Sequence, residues 1–69
     1  MSVLKFIEIT GESDESWAAG ARVAIDEARK TLRGMRHAEV THLTIRLNDE
    51  GLFEYQTTLK LAFAVEHHE

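Results

Sequence analysis

Two long runs of alternating apolar and polar residues, separated by one short turn, constrain the fold of this chain more than any other feature. The turn is Asn48-Asp49-Glu50-Gly51, whose glycine suits a positive φ angle. After the turn, alternate residues point to opposite sides of a strand. The apolar positions are Phe53, Tyr55, Leu59, Leu61, Phe63 and Val65, and the polar positions are Glu54, Gln56, Thr58 and Lys60. The pattern predicts a long antiparallel hairpin.

The run before the turn, residues 37–47, changes face part of the way along. Its apolar residues occupy even positions first and odd positions later: Ala38, Val40, Leu43, Ile45 and Leu47. A strand changes face only where an extra residue is inserted. We therefore predict a β-bulge near Thr41-His42.

One strand and one helix precede the hairpin. The segment Val3–Thr10 is rich in β-branched and aromatic residues and is closed by Gly11, which predicts a strand. Ser13 is predicted to cap the helix, with Asp14-Glu15 in the first turn, and Gly34 to follow its last turn. The apolar stripe of the helix is Trp17, Ala21, Ala24, Ile25, Ala28 and Leu32, which makes Trp17 a predicted core residue.

The order strand, helix, strand, strand predicts an α+β fold, a β-α-β-β subunit with a three-stranded antiparallel sheet wrapped around one helix. Residues 1–69 are predicted to form a single domain without cysteine or proline. A chain this short buries only about 60% of its unfolded surface, and one face of the sheet has no second layer within the chain. We therefore expect the protein to self-associate.

The charge and hydropathy of the chain exclude several partners. A net charge of −4 argues against nucleic-acid and anionic-membrane binding, because both require a basic surface. The sequence contains no apolar run long enough to span a membrane and no signal-peptide pattern, which predicts a cytoplasmic location.

No combination of residues predicts catalysis or a specific metal site. Ser13 and Ser16 are interpreted as capping residues, and the paired acids fall in a helix start and a turn. Two of the four histidines, His37 and His42, lie five positions apart on one strand, and the others belong to the terminal His67-His68-Glu69. The protein is therefore predicted not to be an enzyme, while an ion on a symmetry axis is left open.

Three segments carry a family resemblance: residues 9–17 (ITGESDESW), 38–40 (AEV) and 55–63 (YQTTLKLAF). With these segments at matching spacing, the chain resembles the dodecins. The resemblance implies a hollow homododecamer of cubic symmetry. It also implies paired sites at subunit interfaces that bind riboflavin, FMN or a related flavin for storage or sequestration.

The resemblance also assigns candidate site residues. Gln56 corresponds to the glutamine that hydrogen-bonds the flavin ring, and His37 stands where flavin-binding dodecins have a stacking tryptophan. His42 and Arg46 occupy further positions beside the ligand. The alternative is a dodecin-like shell whose flavin site has drifted and which binds coenzyme A or a divalent ion, or is purely structural.

Overall fold

The computed structural model describes residues 3–65 and has the predicted β-α-β-β order. Its elements are β1 (Val3–Ser13), α1 (Trp17–Arg29), β2 (Met35–Leu47) and β3 (Phe53–Val65). The strand order is β1-β3-β2 and both pairings are antiparallel, so β3 is the central strand. The predicted fold of the subunit is therefore confirmed. The terminal His67-His68-Glu69 lies outside the described residues.

The predicted turn joins β2 to β3. Gly51 has a φ of +80°, and its N–H donates to the Asn48 carbonyl at 3.0 Å. The Asn48 side-chain oxygen accepts from the backbone N–H groups of Glu50 at 2.9 Å and Leu52 at 3.0 Å. One asparagine thus satisfies two donors that the turn would otherwise leave unpaired.

The predicted bulge is also present. The register between β2 and β3 shifts between Val40 and His42, and a second shift lies between Met35 and His37. The extra residue of the shift between Val40 and His42 is Thr41, whose hydroxyl donates to the Thr58 carbonyl at 3.3 Å. This inserted residue lets His37 and His42, five positions apart, point to the same face of the sheet.

The helix begins later than the sequence predicted. Ser16 is the N-cap, and its hydroxyl oxygen accepts from the Ala19 N–H at 3.0 Å. Ser13 is instead the last residue of β1, because the pairing of β1 with β3 continues to Ser13 opposite Tyr55. Gly11 consequently lies within the strand, and no acidic residue lies in the first helical turn.

The predicted helix end was wrong as well. The helix ends at Arg29 with Lys30 as its C-cap, several residues before Gly34. Gly34 has a φ of +74° and leads into β2, where its carbonyl accepts from the Ala64 N–H at 2.9 Å. Its positive φ therefore serves the connection to the sheet and not the helix terminus.

The helix packs over β1 and β3. Ala24, Ala28, Leu59 and Leu61 form the buried cluster. Partly buried apolar side chains surround it: Ile7, Ile9, Ala21, Ile25, Leu32 and Met35. Small residues let the helix approach β1 so closely that the Gly20 carbonyl oxygen occupies the place a Cβ atom on Gly11 would take.

Trp17 lies half-buried at the margin of this core. Its ring meets Tyr55 edge-on, with centroids 5.1 Å apart, and its indole N–H donates to the Thr44 carbonyl at 3.0 Å. The buried Thr57 hydroxyl donates to the Trp17 carbonyl at 2.6 Å. Trp17 thus connects the start of the helix to β2 and β3.

On the helix-facing side of the sheet, the helix covers β1 and β3 but not β2. Four apolar side chains there are between 45% and 63% exposed: Val40, Leu43, Ile45 and Leu47. No element within residues 3–65 covers this strip, which we call the β2 strip. The one helix is 13 residues long, and the described part of the chain contains no helix able to cross a membrane. The cytoplasmic location remains a prediction.

Candidate ligand-binding face

All four candidate residues lie on the sheet face that points away from α1, which we call the outer face. Residues directly opposite each other in antiparallel strands share a face, so the two registers define rows of side chains across the sheet. From one end to the other, the rows are His37–Ala62–Phe6, Glu39–Lys60–Glu8, His42–Thr58–Thr10, Thr44–Gln56–Glu12 and Arg46–Glu54.

Three of the candidates lie close together. His42, Gln56 and Arg46 belong to adjacent rows, and neighbouring rows are about 7 Å apart along a strand. His42 and Arg46 are exposed and Gln56 is half-buried. One ligand lying on this part of the outer face can therefore reach all three side chains.

His37 lies apart from the other three. Its partner Ala62 is six residues from Gln56 along β3, which corresponds to about 20 Å. That span is longer than a three-ring heterocycle. A single subunit therefore cannot present His37 and Gln56 to the same flavin ring.

The Gln56 side chain is held by its neighbour across the sheet. Its Nε2 group donates to Oε2 of Glu12 at 2.8 Å, and the two residues are directly paired in the β1–β3 register. On the other flank, the Thr44 hydroxyl donates to the Gln56 backbone carbonyl at 3.5 Å. The amide is thus oriented by Glu12 within the subunit.

The same contacts favour the charged form of Glu12. The hydrogen bond from Gln56 lowers the pKa of the Glu12 carboxyl most, and the neighbouring Glu54 side chain and the positive charge of Arg46 also lower it. Burial opposes this shift by more than Arg46 supports it, but does not reverse it. At neutral pH, Glu12 is therefore a carboxylate that only accepts hydrogen bonds.

Sequence reasoning missed Glu12 and Thr44 as neighbours of Gln56. The alternation of polar residues places Gln56 on the outer face but does not state what lies opposite it. That information is in the register between β1 and β3, whose residues are more than forty positions apart in the chain. Strong hairpin turns fix local registers, and no such signal links these two strands.

The chemistry of the outer face fits a flavin ring. A flavin presents alternating hydrogen-bond donors and acceptors along its pyrimidine edge and an extended flat surface. The Gln56 amide offers a carbonyl oxygen and a second N–H that Glu12 does not use, and His37 offers an exposed flat ring. Arg46 supplies a cation of the kind that binds phosphate, the group that distinguishes FMN from riboflavin.

A metal ion finds less support within one subunit. Among residues 3–65, no three histidine or acidic side chains come together in a group that could hold a metal ion. His37 and His42 share the outer face but lie two rows apart.

The fold and this face together define a class of small binding protein: one helix held in a curved three-stranded sheet, with polar and aromatic side chains on the free sheet face. The chain belongs to the dodecin family, because the Dodecin family model matches residues 3–66. The family resemblance drawn from the sequence is therefore confirmed.

Individual relatives agree with this assignment. A dodecin from Thermus thermophilus is 36% identical over 64 residues, 93% of each chain. A calcium dodecin from Mycobacterium tuberculosis is 33% identical over 63 residues, 91% of this chain and 89% of the relative. The crystal structure of a T. thermophilus dodecin point mutant has a TM-score of 0.90 at 35% identity, covering 99% of this chain and all of that one.

Proposed function

We propose that this protein is a single-domain dodecin that stores or sequesters riboflavin-class flavins in a homododecamer, without catalysing a reaction. The observation that carries the proposal is the fixed Gln56 amide, which has a free carbonyl oxygen and a free N–H on the outer face. His42 and Arg46 flank it in the adjacent rows and are placed to contact the remainder of the ligand.

In this proposal, each flavin site is shared by two subunits. Gln56 of one subunit binds the polar edge of the ring, and His37 of another stacks on its surface. The 20 Å between the two positions within one subunit, about six residues of strand, favours this arrangement over a site within one chain. Because each subunit has one His37 and one Gln56, the stoichiometry is one flavin per subunit.

Self-assembly also removes apolar surface from water. The β2 strip is exposed in the isolated subunit, and so are Leu4 at 42% and Phe6 at 49% on the outer face. Burying apolar surface contributes about 25 cal/mol per Å². A subunit of 69 residues has only a small core, so burial of apolar surface in the proposed shell adds to its stability.

Two measurements on the purified protein test this function. Light scattering should give a dodecamer, and riboflavin titrated into that dodecamer should lose fluorescence until one flavin is bound per subunit. A flavin absorption band in the freshly purified protein would support the same conclusion. A monodisperse monomer, or a dodecamer that leaves riboflavin fluorescence unchanged, would contradict the proposal.

A shell that binds a divalent cation is the second candidate. It is favoured by the similarity to the calcium dodecin and by two acidic side chains, Glu12 and Glu54, in neighbouring rows of the outer face. A colourless dodecamer that ignores riboflavin but binds calcium in isothermal titration calorimetry would select this candidate. A dodecamer that ignores both would favour the remaining alternatives, coenzyme A binding or a purely structural role.

A further inference from the structure

The orientation of the Gln56 amide is determined by Glu12. An amide side chain can turn about its last bond and exchange the positions of its oxygen and nitrogen. A carboxylate only accepts hydrogen bonds, so the nitrogen of Gln56 must face Glu12, and the 2.8 Å contact joins Nε2 to Oε2. The Gln56 carbonyl oxygen is consequently directed away from Glu12.

Among the described residues, no second hydrogen bond reaches the Gln56 side chain. The Thr44 hydroxyl reaches the Gln56 backbone carbonyl and not its side chain. The hydroxyls of Thr10 and Thr58, in the next row, bond to each other at 2.9 Å. Within residues 3–65, Glu12 is therefore the hydrogen-bond partner that sets which end of the amide remains free.

We propose that Glu12 is a positioning residue that makes Gln56 select ligands with an imide edge, an N–H group between two carbonyls. This inference rests on the proposed flavin function. The free carbonyl oxygen of Gln56 accepts from the imide N–H, and its second N–H donates to the adjacent ligand carbonyl. A ligand that lacks the N–H leaves the Gln56 oxygen without a donor in a site that excludes water.

The test compares riboflavin with 3-methylriboflavin, in which a methyl group replaces the imide hydrogen. We expect wild-type protein to prefer riboflavin by at least about tenfold, the scale of one lost hydrogen bond. Glu12→Gln keeps the side-chain shape but can both donate and accept, so Gln56 is free to turn. Its preference for riboflavin should fall to about threefold or less.

Glu8→Gln is the matched control. Glu8 lies on the same strand and the same face, opposite Lys60, and its substitution removes the same charge two rows from Gln56. It should keep the wild-type preference. Light scattering on all variants confirms that each one is assembled before titration.

A double substitution separates positioning from a direct effect of the Glu12 charge. If Glu12 acts through Gln56, adding Glu12→Gln to Gln56→Ala should change riboflavin affinity by less than about twofold. Wild-type protein that binds riboflavin, combined with a Glu12→Gln variant that keeps the tenfold preference, would overturn this inference alone. Wild-type protein that does not bind riboflavin would overturn the proposed function and this inference together.

Discussion

The two faces of the sheet differ in how far a single subunit completes them. On the helix-facing side, Leu59 and Leu61 are at most 1% exposed beneath the small residues of α1. On the outer face, His37 and His42 remain exposed, while the Gln56 amide donates a hydrogen bond to Glu12. The helix-facing side thus determines the stability of the subunit, whereas the flavin site proposed for the outer face requires a second subunit.

The largest expected effect comes from disrupting the packing of the helix on the sheet. Gly11→Ala places a methyl group where the Gly20 carbonyl oxygen lies, and backbone atoms cannot move aside cheaply. We expect a loss of about 2–3 kcal/mol in the free energy of unfolding, the upper range for overpacking. Thermal unfolding followed by circular dichroism measures it.

Thr10→Ala is the control for Gly11→Ala, because it alters the adjacent residue on the outer face. It removes one exposed hydroxyl pair, Thr10 with Thr58, and should cost no more than about 0.5–1 kcal/mol. Equal unfolding temperatures for the two variants would show that the close approach of helix and strand is not needed.

The next effect should be on binding and not on stability. Gln56→Ala removes the polar anchor, and we expect riboflavin affinity to weaken by about 1–3 kcal/mol while the dodecamer remains intact. Fluorescence titration measures the affinity. Lys60→Ala is the control, since it shortens a side chain on the same face and strand outside the Gln56 row. A similar loss for both variants would argue against a specific role of Gln56.

A smaller effect, of opposite sign, is expected at the other end of the outer face. His37→Trp enlarges the stacking surface and should strengthen riboflavin binding by about 1–2 kcal/mol, the scale measured for stacking on aromatic side chains. His37→Leu is apolar but has no flat ring, so it should give no such gain. If both variants bind riboflavin as the wild type does, the ligand does not contact residue 37.

The smallest effect is the pH dependence contributed by Glu12. Its pKa in the folded protein is lowered by Gln56, Glu54 and Arg46, so its contribution is complete above the ordinary value of 4.5. It is lost as pH falls through the lowered pKa. The ratio of wild-type to Glu12→Gln riboflavin affinity should therefore stay constant between about pH 5 and pH 8 and approach one in stronger acid. A ratio that falls steadily from pH 8 to pH 5 would contradict this account.

The sequence predicted the features of this fold that depend on short-range pattern. The hairpin, its turn at Asn48–Gly51 and the bulge at Thr41 all follow from the period of two along a strand. The predicted helix start was wrong. Ser13 is a good capping residue, but its pairing with Tyr55, far along the chain, places it in β1. Tertiary pairing overrode a local signal there.

The candidate site was less predictable for the same reason. The sequence indicated Gln56 through a family resemblance, but the rows across the sheet depend on two long-range registers. Those registers bring Glu12 to Gln56 and separate His37 from it by about six residues of strand, or 20 Å. No local pattern in the sequence predicts the pairing of Glu12 with Gln56 or the separation of His37 from Gln56.

Mixing subunits tests most directly whether His37 and Gln56 of different chains build one site. Neither His37→Ala nor Gln56→Ala alone forms a complete site. If the site is shared, dodecamers co-expressed from equal amounts of both variants contain both native residues in about a quarter of their sites, by random pairing of subunits across an interface. Riboflavin titration should then reveal a tight-binding fraction of that size, absent from either variant alone. Mixed dodecamers with no tight-binding fraction would contradict the shared site.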